Sequence, residues 1–121
     1  MVNKTEIMNA KPTGALPPTV AETDFKAEVL QSKQPVLVEF WTSWSRPCRV
    51  FDSVLRELAH VWAGKIKVVK VDADDSLDLS LLYDIRSIPM LLCFVEGSPR
   101  WRILGTATRE AVEAKLKPLF Q

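Results

Sequence analysis

One short apolar run that stops at the threshold of a helix limits most tightly what this chain can fold into. Behind Pro35 stands Val36-Leu37-Val38-Glu39-Phe40-Trp41, rich in β-branched and aromatic residues and broken only by Glu39. Such a run reads as a strand buried on both faces, which requires a sheet covered on each side. From Pro47 to about Trp62 the period changes. Phe51, Val54, Leu55, Leu58 and Trp62 recur at helical spacing, with Arg56 and Glu57 on the wet side and Gly64 where a left-handed stop is wanted.

The rest of the chain repeats the alternation. Thr23 is expected to cap a short helix holding Phe25, Val29 and Leu30, with Asp24 in its first turn. Ile66 to Val71 reads as a second strand, with Lys65, Lys67 and Lys70 toward its ends or the solvent. An acidic turn, Asp72 to Asp75, leads into a short helix through about Tyr83. Met90 to Val95 is a third strand, and Gly97 turns the chain into a fourth, Trp101 to Leu104, as an antiparallel hairpin. Thr108 caps a last helix carrying Ala111, Val112, Leu116 and Leu119, with Glu110 in its first turn. Strands separated by helices imply parallel pairing. The expected class is therefore α/β, a central mixed sheet of four to five strands with helices on both faces. It forms one domain over 19–121, behind a flexible tail at 1–18 with a short strand near Thr19 and Val20.

Composition narrows the function. A net charge of +1 removes the electrostatic case for nucleic acid or an anionic membrane. Two cysteines, Cys48 and Cys93, cannot build a disulfide scaffold or a four-thiolate metal site. No run is long enough to span a bilayer, and the start does not read as a secretory signal. The expected compartment is the cytoplasm, where both thiols stay reduced.

The chemistry should sit at Trp41-Thr42-Ser43-Trp44-Ser45-Arg46-Pro47-Cys48-Arg49, where strand gives way to helix. A helix start presents unpaired N–H groups and a partial positive charge, which favour a thiolate placed there. Arg46 and Arg49 add charge of the same sign. A redox or nucleophilic role for Cys48 follows on those grounds.

From Thr23 onward the chain resembles the thioredoxin family. Val36 to Trp41 resembles the strand that ends at that family's active site, and Trp44-Ser45-Arg46-Pro47-Cys48 its W-C-G-P-C motif. Ile85-Arg86-Ser87-Ile88-Pro89 before Met90-Leu91-Leu92 resembles the segment whose cis proline faces the two cysteines. Phe94, Gly97 and Gly105 fall at the last hairpin and at the glycine that opens the substrate groove. The resemblance implies thiol–disulfide exchange, with Cys48 at the resolving position and Ser45 at the attacking one. It also implies that Glu39, with Lys70 beside it, helps move the proton of Cys48, although aspartate is more usual there. Burial is implied to raise the Cys48 pKa against the helix and arginine effects. Trp44, Pro47, Ile88, Pro89, Met90, Leu104 and Gly105 would border a groove for extended or unfolded protein segments.

Ser45 is the departure. A dithiol cycle needs a second thiol to release the mixed disulfide, and a hydroxyl forms no disulfide. As a helix cap, serine needs no chemistry at all. Cys93 reads as a core residue, and His60 is a lone imidazole without ligand partners. Three readings stay open: a family member with degenerate S-R-P-C chemistry and impaired turnover, a redox-inactive peptide-binding or chaperone-like module, or an active thioredoxin carrying an introduced Cys-to-Ser change at position 45. A monomer without metal or cofactor is expected, meeting client segments or a redox partner protein.

Overall fold

A computed structural model describes residues 14–121 of the chain. A 3-10 turn at Glu22–Asp24 runs into a π-helical stretch at Lys26–Leu30. The regular elements follow as β1 (Val36–Trp41), α1 (Arg46–Val61), β2 (Lys67–Asp72), α2 (Leu77–Leu82), β3 (Met90–Val95), β4 (Ser98–Leu104) and α3 (Arg109–Leu116). The last residues, Lys117–Phe120, close as a second 3-10 turn.

The strands lie in the order β2-β1-β3-β4. β1 and β2 are parallel, with α1 as their crossover, while β3 is antiparallel to both β1 and β4. This is the mixed sheet that the alternation of patterns implies. Thr19 adds an isolated parallel bridge to Lys70 on the outer edge of β2. There the Val20 N–H donates to the Lys70 carbonyl at 2.7 Å, and the Lys70 N–H donates to the Pro18 carbonyl at 2.8 Å. Residues 1–13 of the expected tail lie outside the described residues. Gly14 rests on α1, where an added Cβ would stand 2.8 Å from the Arg56 carbonyl.

Alternation along β1 divides the core. Val36, Val38 and Phe40 face one side, with Phe25, Val29, Leu79, Met90, Leu92 and Phe94. Leu37 faces the other, with Phe51, Leu55, Leu58, Leu91, Val112 and Leu116 beneath α1 and α3. Glu39 stands on this second face, and it is fully buried.

Three local expectations are corrected. Thr23 does not cap the first helical segment. Ala21 takes the extended cap conformation, and its carbonyl accepts the Asp24 N–H, so Thr23 lies inside the turn. The fourth strand starts at Ser98 rather than Trp101, because the reversal needs only Glu96 and Gly97. Lys70 is not at the solvent. It is 4% exposed, since the alternation of β2 turns it under α1 with Val68.

Glu96 and Gly97 both adopt positive φ, 51° and 80°, the geometry of a two-residue hairpin turn. A Cβ on Gly97 would approach the Leu30 carbonyl to 2.8 Å. Gly97→Ala is therefore expected to lower stability by about 1–3 kcal/mol, read as a lower urea midpoint. An unchanged midpoint would show that the turn yields without cost.

Candidate functional site

The site begins with the cap of α1. Ser45 has the extended backbone of a cap residue, and its hydroxyl accepts the Cys48 N–H at 3.4 Å. Pro47 occupies the first turn, where a missing N–H is harmless. Sequence and structure agree here: the strand ends at Trp41, the chain turns, and Ser45 starts the helix. The hydroxyl thus satisfies an otherwise orphaned donor, and Ser45 itself is 4% exposed.

Cys48 lies one turn in, 2% exposed. Burial pushes its thiol above the ordinary value, and the nearby Glu39 acts in the same direction when charged. Hydrogen bonding to the Ser45 side chain and the Thr42 backbone, together with the Lys70 charge, pulls it back without overcoming burial. The helix start and the flanking arginines therefore do not make this a low-pKa thiol. Arg46 and Arg49 point to solvent, which screens them. Cys93 is fully buried in β3, with its thiol pushed up to about 11 by burial, and the two cysteines are not bonded to each other. Alkylation of both thiols by iodoacetamide at pH 7 should thus be at least about tenfold slower in the native protein than in the urea-unfolded chain. Equal rates by mass spectrometry would contradict the burial of Cys48.

Beneath Cys48 lie three ionisable side chains, Glu39 and Lys70 buried and Asp52 half-buried. The Lys70 ammonium stands 2.9 Å from Asp52 Oδ1, 3.8 Å from Glu39 Oε1 and 4.5 Å from the centre of the Trp41 ring. Neither oxygen of Glu39 has a hydrogen-bond donor, and the Thr42 hydroxyl and Trp41 indole N–H are likewise buried without partners. Burial raises the Glu39 carboxyl to about 8, with Lys70 pulling against it and Asp52 adding to the rise. Glu39 is accordingly mostly protonated at neutral pH. Ser45, Cys48, Glu39 and Lys70 thus lie together around the start of α1.

The groove residues are placed less uniformly. Trp44 is 68% exposed, and its indole N–H donates to Asp74 Oδ2 at 2.9 Å. Pro47 is exposed, Ile88 half-buried and Pro89 buried, with the Ile88–Pro89 peptide cis. The Gly105 N–H donates to the Pro89 carbonyl at 2.8 Å, and Leu104 beside it is 63% exposed. Met90 is the correction. It is 1% exposed and shares its face of β3 with Leu92 and Phe94, so it supports the core and does not line a shelf.

Two site residues escaped the sequence reading. Asp52 stands four residues after Cys48, hence on the same face of α1, and that spacing was the available signal. Asp74 lay inside the acidic turn, but nothing in the sequence marked which of its carboxylates meets Trp44. Among the described residues, no cluster of three histidine, cysteine or carboxylate side chains is arranged to hold a metal, and no helix is long and apolar enough to cross a membrane.

The family model described as Thioredoxin matches residues 17–118. The chain is 42% identical over 93 residues to Thioredoxin C-2 of Corynebacterium nephridii, covering 77% of this chain and 86% of that protein. It is 41% identical over 98 residues to Thioredoxin 1 of Nostoc sp., covering 81% and 92%. Thioredoxin M4, chloroplastic, of Arabidopsis thaliana is 36% identical over 100 residues, covering 83% of this chain and 52% of that protein.

Proposed function

Since this chain belongs to the thioredoxin family of thiol–disulfide oxidoreductases, we propose that it keeps the family's site but lacks dithiol turnover, because Ser45 stands where the attacking thiol would be. The supporting observation is the surroundings of Cys48: the side chain that meets its N–H at the helix start is a capping hydroxyl, and Cys93 is held in the core of β3. Reduction of a client disulfide starts with thiolate attack, which leaves client and protein joined and releases one client thiol. A second protein thiol must then attack the joining sulfur, release the other client thiol and close a protein disulfide. Cys48 alone can take the first step only, and burial and its raised pKa slow even that.

In a dithiothreitol-driven assay on a protein disulfide, the chain as it stands should give no turnover above the reagent alone. Robust turnover would end this reading. The cytoplasm is the proposed compartment, where both thiols stay reduced.

A second reading is favoured by the exposed apolar side chains around the site. Trp44 and Leu104 are both more than half exposed, which suits a monomeric module that holds extended or unfolded protein segments. Suppression of client aggregation that survives Cys48→Ala would support holding. Absence of suppression in both proteins would exclude it.

A further inference from the structure

We propose that Asp52 is a positioning residue for this site: by holding the Lys70 ammonium at 2.9 Å, it leaves the buried Glu39 carboxyl without a donor and so in its neutral, proton-carrying form beneath Cys48. This goes beyond the proposed function and stands whether or not Cys48 turns over.

Two carboxylates compete for one cation. Lys70 is the only cation within ion-pair distance of Glu39 among the described residues, and Glu39 lies 3.8 Å from it without a hydrogen bond. The Asp52 side chain is 25% exposed and that of Glu39 is 0% exposed. Charge on Asp52 is thus partly solvated by water, while charge on Glu39 would rest on protein groups alone. The ammonium accordingly settles on the carboxylate that costs less to keep charged. Toward Glu39, β2 presents Lys70, α1 presents Asp52 and the Cys48 thiol, and β3 presents uncharged Leu91. A neutral Glu39 also spares Cys48 a buried negative neighbour, which would disfavour its thiolate.

The experiment is a carbon-13 NMR titration of the Glu39 side-chain carboxyl, assigned by its loss in Glu39→Gln. In Asp52→Asn the freed ammonium should move onto Glu39, so its midpoint should fall by about one pH unit or more. Asp52→Glu, which keeps a carboxylate within reach of Lys70, should restore a midpoint near that of the parent. With Lys70→Gln in the background, Asp52→Asn should shift the midpoint by less than half as much, since no cation remains to be released. An unchanged midpoint in Asp52→Asn overturns the proposal. An equal fall with and without Lys70 also overturns it, because Asp52 would then act through its own charge alone. Disulfide reduction by the same variants is not part of the criterion, so failure here is distinct from failure of the turnover reading.

Discussion

Ser45→Cys is expected to convert stoichiometric thiol chemistry into catalytic disulfide reduction. The replacement puts a sulfur at the cap of α1, where the Ser45 oxygen now meets the Cys48 N–H at 3.4 Å. A thiolate there is favoured by the free N–H groups and partial positive charge of the helix start, so the new cysteine should have the lower pKa of the two. It would attack the client disulfide, and Cys48 would then release the client by closing the disulfide with position 45. The raised pKa of Cys48 is no obstacle to that second step, because the mixed disulfide holds the sulfurs together. The change removes a serine cap and should cost about 0.5–2 kcal/mol, a minor penalty beside the gain in activity. Ser45→Cys combined with Cys48→Ala should attack once and stay joined to its client. With dithiothreitol reopening the 45–48 disulfide after each cycle, many client disulfides reduced per molecule of the single variant, and, without dithiothreitol, one covalent adduct per molecule of the double variant, are the expected pair of results. Failure of Ser45→Cys to turn over would mean that more than the missing sulfur silences this site.

The second large effect is on stability against pH. Glu39 has a carboxyl raised from 4.5 to about 8 in the folded protein. Below 4.5 both folded and unfolded chains carry the proton, and Glu39 imposes no ionisation cost. Between 4.5 and about 8 the unfolded chain releases its proton while the folded chain keeps it, so stability falls as pH rises. Above about 8 the folded protein carries the full cost of a buried carboxylate, up to about 5 kcal/mol. Glu39→Gln removes the titration and keeps the shape. Its urea midpoint should vary much less between pH 5 and pH 9 than that of the parent, with the two curves diverging on the alkaline side. Parallel curves would show that Glu39 is not protonated in the folded state. Any fixed cost of placing an amide at this position would offset the two curves without changing their slopes.

What the sequence made legible follows from which forces are local. The unbroken apolar character of β1 and the period of nearly four in α1 are properties of consecutive residues, and both elements appear where those patterns place them. Thr108 likewise accepts the Ala111 N–H at 3.1 Å, as a cap signal predicts. Thr23 misled because an N-cap preference is weak against a turn already closed by the Ala21 carbonyl. At α2 a distant group takes over the capping: the Ser76 side chain makes no cap bond, and Glu22 from before the sheet receives the Leu79 N–H at 2.8 Å. Within the site, Ser45, Cys48, Glu39 and Lys70 were legible as a group only through resemblance. The position of Lys70 between two carboxylates depends on how β2 sits under α1, a tertiary fact that no local pattern encodes.

The sheet has two outer edges, and the chain closes them by different means. Beside β2, the backbone of Pro18 to Val20 takes up the N–H and C=O of Lys70. Beside β4 no further strand lies among the described residues. That edge instead carries Pro99, which has no N–H to offer, along with exposed Arg100 and Arg102, and the ladder behind it shifts register between Cys93 and Phe94. Proline, like charges and an irregular ladder are all poor templates for a further strand. The sheet is thereby protected against growing from molecule to molecule, by hydrogen bonding at one border and by side-chain chemistry at the other.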